Sequence, residues 1–188
     1  MRIVKAQFVK GLVGDDELLH DGLPQVAFVG RSNVGKSSLI NALTGTSISR
    51  TSGYAGSTQE INAYLVNNAM YFMDLPGYGF ARTSGRGKEK IGDLIEFYLF
   101  QSGVEQAKVV IVVDAGVEVT DKDASMFTEL LQHNKSIIIA ASKIDKLNQS
   151  EFHKSITKLR AIAHGFPVVP FSSKSKKGIA ELLEEIAR

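Results

Sequence analysis

The sequence predicts a three-layer, doubly wound α/β fold with a mostly parallel sheet and one antiparallel edge hairpin strand. Three observations predict it. Residues 109–113 and 136–141 are nearly continuous aliphatic runs, as strands covered by helices on both faces require. From residue 89 to 187 such runs alternate with segments of helical spacing, the order that yields parallel strands joined by crossover helices. Lastly, the apolar run 25–29 leads through Gly30-Arg31-Ser32-Asn33-Val34-Gly35-Lys36-Ser37 into residues 38–43, a strand, a G-x-x-x-x-G-K-S loop and a helix in succession.

In chain order, residues 1–9 alternate polar and apolar side chains and read as a strand. They have no long apolar core or small-residue cleavage site, so no signal peptide is expected. Asp15-Asp16-Glu17 and Asp21-Gly22 read as an acidic, solvated connector. In the loop that follows, Gly30 and Gly35 let the backbone curl around an anion with its N–H groups inward, and the helix start adds partial positive charge. Lys36 can reach the β- and γ-phosphates of a nucleotide, and the Ser37 hydroxyl can ligate Mg²⁺ there. Residues 45–58 are rich in Gly, Ser and Thr without periodicity, which predicts a long loop of the kind that carries function. Residues 61–66 and 70–74, joined by the turn chemistry of Asn67-Asn68, predict an antiparallel hairpin at one edge of the sheet. After a Gly- and Ser-containing stretch at 83–87, helices are predicted over 89–100, 121–132, 152–162 and 179–187, with a last short strand at 168–171.

A chain of 188 residues, 44% hydrophobic, suits one domain over 1–188 with a substantial core. Its net charge of +2 gives only weak support for a polyanionic partner. The absence of cysteine excludes disulfides, thiolate metal sites and thiol nucleophiles, and is consistent with a cytoplasmic location. No stretch approaches membrane-spanning length, so no membrane association is expected. His20, His133, His153 and His164 lack metal-ligand spacing and read as surface or boundary residues. Tyr64, Tyr71 and Phe72 read as core.

Ligands of such sheets sit outside the carboxyl ends of the strands, and three motifs fall there. In Asp74-Leu75-Pro76-Gly77 the aspartate can hold Mg²⁺ through a water and the Gly77 N–H can meet a γ-phosphate; as a bare pattern it is also a common turn. In Ser142-Lys143-Ile144-Asp145 the Asp145 carboxylate can accept from the ring N–H and exocyclic amine that guanine offers side by side and adenine does not. The Lys143 stem would lie along the base; alternatively this is a charged loop that begins with a helix cap. Phe171-Ser172-Ser173-Lys174 could add backbone N–H bonds to the guanine oxygen.

Together these residues resemble the guanine-nucleotide signature of translation-factor-related small GTPases. Residues 30–38, Asp74-Leu75-Pro76-Gly77-Tyr78-Gly79-Phe80-Ala81 and Phe171-Ser172-Ser173 resemble the EngB (YihA/YsxC) family of bacterial GTP-binding proteins, within the TrmE-Era-EngA-EngB-Septin-like group, and the likeness covers nearly the whole chain. It implies a P-loop NTPase of the Ras-like G-domain type. It also implies a GTP/GDP switch that uses Mg²⁺, acts in the cytoplasm as a monomer, and serves large ribosomal subunit assembly, with rRNA and ribosomal proteins as partners, and normal division and septation. By position, Lys36, Thr58 and Gly77 would be the catalytic groups, and Ser37, Thr58 and Asp74 the metal site. Gly30 to Gly35, Ser38, Leu75, Pro76, Ser142 to Asp145 and Phe171 to Lys174 would hold the nucleotide, with Gly56, Ser57, Thr58, Gln59 and Glu60 as the switch segment.

This chain departs from the family at Tyr54-Ala55-Gly56-Ser57-Thr58-Gln59, where Pro-Gly-Arg/Lys-Thr-Gln is usual, and at Ser142, where Thr is usual. Tyr78 stands where Ras-like proteins carry the glutamine that orients water, which predicts slow intrinsic turnover with the missing element supplied by a partner or an ion. Asn33 is either the contact of a K⁺ ion, as in related GTPases, or an ordinary loop residue. Arg82, Arg86, Lys88, Lys90, Lys174, Lys176 and Lys177 are solvated faces or, given the resemblance, contacts to ribosomal phosphate. Two other classes stay open: a nucleotide-dependent binding module without hydrolysis, and a metabolic P-loop phosphotransferase, for whose acceptor pocket and lid no segment is left over.

Overall fold

Seven strands, β1 (Ala6–Leu12), β2 (Gln25–Gly30), β3 (Ile61–Val66), β4 (Met70–Asp74), β5 (Lys108–Asp114), β6 (Ile137–Ser142) and β7 (Val168–Pro170), make one sheet in the order β1-β3-β4-β2-β5-β6-β7. The structure is a computed structural model and describes residues 1–49, 60–78 and 85–188, without the side chains of 85–88. Helices α1 (Lys36–Thr44), α2 (Gly85–Glu96), α3 (Asp121–Gln132), α4 (Gln149–Ile162) and α5 (Ile179–Ala187) pack on its two faces.

Alternate side chains along each strand point to opposite faces, and this divides the core in two. Val26 and Phe28 of β2, Val110 and Val112 of β5 and Ile138 of β6 meet Leu39, Ile40 and Leu43 of α1 and Leu182 and Ile186 of α5. Their neighbours Ala27, Val109, Ile111, Ile137 and Ile139 face the other way, onto Leu94 and Ile95 of α2, Leu130 of α3 and Leu159 of α4. The aliphatic runs are therefore continuous because both faces are buried. Tyr64, Tyr71 and Phe72 are core residues as expected.

Among the described residues, β3 is the single strand that opposes its neighbours, and every other pairing in the sheet is parallel. Its place differs from the expectation. The hairpin does not form the edge, because β1 pairs outside it, Ala6 opposite Val66 and Leu12 opposite Ile61. β1 also begins later than the alternation of residues 1–9 suggests. Residues before it are fastened by the turn at Asn67, whose side chain accepts from the N–H groups of Val4 and Lys5 and donates to the Arg2 carbonyl.

Two further segments differ from the sequence reading. The acidic connector contains a short 3₁₀ turn, Glu17–His20, capped by Asp16, and its Leu18 and Leu19 are buried. A run of charges beside two leucines reads as solvated, but the apolar pair anchors it. The helix expected over 89–100 starts at Gly85, ends at Glu96 and continues as a π-helical turn, Phe97–Gln101. That turn brings the Tyr98 hydroxyl onto Gln25 Oε1 at 3.0 Å inside the core.

Candidate functional site

The loops after β2, β4, β6 and β7 meet at the carboxyl end of the sheet. Gly35 opens α1 with φ 107°, in the left-handed region where a side chain would be strained, so the loop can turn sharply into the helix. Lys36, 8% exposed, curls back and donates from Nζ to the carbonyls of Gly30 (3.2 Å) and Arg31 (3.5 Å). Burial pulls its pKa below the ordinary lysine value, and the negative charge of Asp74 opposes this.

Asp74 ends β4 and is 2% exposed. Its Oδ2 accepts from the hydroxyls of Ser37 (3.0 Å) and Ser49 (3.2 Å). Burial raises the carboxyl pKa, against the influence of Lys36 and the two hydroxyls. A buried carboxylate oxygen with a serine hydroxyl beside it, at the mouth of a phosphate-type loop, is an all-oxygen set that fits a hard cation such as Mg²⁺. Ser49 is the residue that sequence reasoning missed. It lies in the aperiodic 45–58 stretch and is held there by Asn41 of α1, which pairs with its backbone N–H and carbonyl at 2.8 Å each. The available signal was Asn41 itself, a residue that helix interiors disfavour unless its side chain has a backbone partner.

The peptide after Asp74 is seated on the P-loop. Leu75 N–H donates to the Phe28 carbonyl at 3.1 Å, and Leu75 and Pro76 are buried. Gly77 lies so close to Ser32 that a Cβ there would stand 2.8 Å from the Ser32 Cα, so only glycine fits. Ser32 donates from its hydroxyl to the Gly77 carbonyl (3.3 Å) and from its N–H to the Tyr78 carbonyl (3.2 Å). The Tyr78 hydroxyl donates to Asp123 Oδ1 at 3.0 Å, and Arg31 Nε forms an ion pair with Asp123 Oδ2 at 3.4 Å, without hydrogen-bond alignment. Burial and the Asp123 charge raise the Tyr78 pKa, so the phenol keeps its proton. Asp123 is also the third residue of α3 and closes its capping box with Thr120.

On the other side, Ser142 is buried and donates to the Val34 carbonyl at 2.7 Å, which ties β6 to the P-loop. Lys143, with φ 60°, donates from Nζ to the Asn33 carbonyl (2.8 Å) and pairs with Asp114 (2.8 Å). Ile144 is buried, and Asp145 is exposed, its carboxyl held below the usual range chiefly by a hydrogen bond from Ser172. Phe171 and Ser172 are buried behind it; Ser173 is half-buried and Lys174, Lys176 and Lys177 are exposed. Asn33 is exposed in the left-handed region, φ 65°, and Ser38 is half-buried in the first turn of α1.

Gly56, Ser57, Thr58, Gln59 and Arg82 lie outside the described residues, as do the side chains of Arg86 and Lys88. Glu60 is not brought to the P-loop. Its carboxylate lies against Gly11 of β1 and lines a groove with Lys90, Asp93 and Phe97 beside α2. Steric room is the reason: Gly11 has no side chain to hold it off.

Residues 25–143 match the family model described as 50S ribosome-binding GTPase, and residues 100–188 match that of the Elongation factor Tu GTP binding domain. A relative named probable GTP-binding protein EngB, from Clostridioides difficile strain 630, is 37% identical over 190 residues, covering 99% of this chain and 93% of the relative. The crystal structure of a probable GTP-binding protein engB superimposes with a TM-score of 0.72 at 26% identity, over 87% of this chain and 96% of that one. NFeoB from S. thermophilus, solved with GDP·AlF4⁻ and K⁺, does so with a TM-score of 0.67 at 26% identity, over 88% of this chain and 61% of that one.

Proposed function

The chain belongs to the EngB family of GTP-binding proteins, a GTPase family, and from that premise we propose that it is a Mg²⁺-dependent GTP/GDP switch serving large ribosomal subunit assembly. One observation carries the nucleotide reading. The loop that carries Asp145 is tied to the P-loop twice, Ser142 to the Val34 carbonyl at 2.7 Å and Lys143 to the Asn33 carbonyl at 2.8 Å, so base-reading and phosphate-wrapping groups form one frame. In this reading the amides of residues 30 to 37 wrap the phosphates, Asp145 accepts from the guanine edge, and the backbone at Ser172, Ser173 and Lys174 meets the guanine oxygen. Lys36 would turn from the Gly30 and Arg31 carbonyls to the β- and γ-phosphates, whose charge favours its protonated form. Ser37 and Asp74 would hold Mg²⁺ together with Thr58, and the ion supplies charge neutralisation on the phosphates. The Gly77 N–H would meet the γ-phosphate once its peptide leaves Ser32, and this exchange of partners is the switch.

Hydrolysis is slow in this reading because Tyr78, in the water-orienting position, is committed to Asp123. A partner or K⁺ near Asn33 supplies what is missing; the neighbour solved with K⁺ supports the ion, and equal turnover in K⁺ and Na⁺ buffers would refute it. The ribosomal role is supported by the description of the matching family model and by exposed Lys90, Lys174, Lys176 and Lys177 around the nucleotide loops. Action in the cytoplasm, as a monomer, and a requirement in division and septation complete the proposal.

Calorimetry with GTP, GDP and ATP tests the nucleotide reading: micromolar or tighter guanine nucleotides with no ATP binding are expected, and equal affinities would overturn it. Co-sedimentation with large subunits should weaken steeply as salt rises if lysines meet rRNA phosphate. The engagement of Tyr78 also favours a second reading, a binding module that does not hydrolyse. Single-turnover hydrolysis with and without ribosomal particles separates the two.

A further inference from the structure

Ser49 belongs to none of the motifs from which the nucleotide site was assembled, yet it is 5% exposed and shares the buried Asp74 oxygen with Ser37. We propose that Ser49 is a positioning residue for the metal of this site, aiming the Asp74 carboxylate from the α1 side. The proposal rests on the reading of Ser37 and Asp74 as the Mg²⁺ site. In that site Ser37 and Asp74 would both hold the ion. Ser49 has no such duty, and among the described residues its hydroxyl bonds to Asp74 alone.

The placement is over-determined. Both backbone groups of Ser49 are clamped by the Asn41 amide at 2.8 Å each, and Ile48 beside it packs against the α1–α5 core. A carboxylate 2% exposed has little water to orient it, so its torsion is set by the donors built around it. Removing Ser49 would leave Oδ2, among the described residues, with the Ser37 hydroxyl alone. Groups that orient a metal's carboxylate partners typically change metal affinity about 10- to 100-fold when removed.

The test follows release of a fluorescent GDP while free Mg²⁺ is titrated, in wild type, Ser49→Ala, Ser49→Thr and Asn41→Ala, with melting temperatures alongside. For Ser49→Ala the Mg²⁺ concentration that half-maximally slows release should rise about tenfold, while GDP affinity in excess chelator changes less than about twofold. Ser49→Thr, which keeps the hydroxyl, should return most of the shift, and Asn41→Ala should reproduce it by freeing the Ser49 backbone. An unmoved half-point in Ser49→Ala would overturn the proposal. So would an equal loss of GDP affinity with and without chelator, which marks a merely structural role. Asp74→Asn reports on the underlying reading: if wild type and this variant respond to Mg²⁺ alike, that reading fails and takes the proposal with it. If only the Ser49 variants behave as wild type, the proposal fails alone.

Discussion

Asp145 is exposed while Ser172 behind it is buried, and the Ser172 hydroxyl lowers the carboxyl pKa, so the base-reading charge sits at the surface and is kept ionised from within. Asp145→Asn replaces an acceptor pair with a group that must donate to an N–H donor. The expected loss of GTP affinity is at least about 3 kcal/mol, a hundredfold, since each bond to a charged group is worth about 1.5–3 kcal/mol. Xanthine nucleotides should gain in return, and competition calorimetry reads both. Ser172→Ala removes only the support and should cost about tenfold in guanine affinity, with ATP still excluded. Asp145 was legible in the sequence because its motif is local. The bonds from Ser49 to Asp74 and from Tyr78 to Asp123 were not: each spans a long stretch of chain, and no local pattern encodes a contact that only the fold creates.

Tyr78, Asp123 and Arg31 join three elements: the peptide after β4, the first turn of α3 and the P-loop. Tyr78→Phe withdraws one donor from a buried carboxylate and should cost about 1–2 kcal/mol. Thermal unfolding should shift down by roughly 2–8 °C for a chain of this size. Single-turnover hydrolysis should stay within about twofold, because the phenol is spoken for by Asp123; a tenfold loss would give it a part in the chemistry. The same scale explains which elements the sequence specified. The bounds of β3, β4, α3 and α5 agree with the pattern reading, since each runs from a turn or cap to the next. β1 did not, because most of it is exposed on both faces and its register is chosen by pairing with β3 and by a bulge between Phe8 and Lys10. The site's frame was legible as loops after strands; the seating of the Gly77 peptide on Ser32 is tertiary and was not.

At the scale of the whole molecule, Tyr71, Tyr78 and Tyr98 hold their protons more firmly than a free phenol. Tyr71 is pushed up to about 12 by burial and by donation to Asp21, and Tyr78 and Tyr98 are raised further, chiefly by burial. A group whose folded pKa exceeds its unfolded value stabilises fully below the unfolded value and loses that contribution as pH rises through the folded one. Folding stability should therefore decline from about pH 10 upward. Denaturant titrations at pH 9 and 11 should show a smaller drop for Tyr71→Phe than for wild type, and identical drops would count against the shift at Tyr71.

The clasp of Asn67 on residues 2–5 and the pairing of β1 with β3 involve none of the residues that build the nucleotide site, yet they decide how this protein behaves in a tube. A chain begun at residue 13 would retain every motif of the nucleotide site but present the backbone of Ile61–Val66 as an open ladder. Uncovered strands of this kind recruit one another, so such a truncation should scatter light and precipitate before any loss of nucleotide affinity is measured.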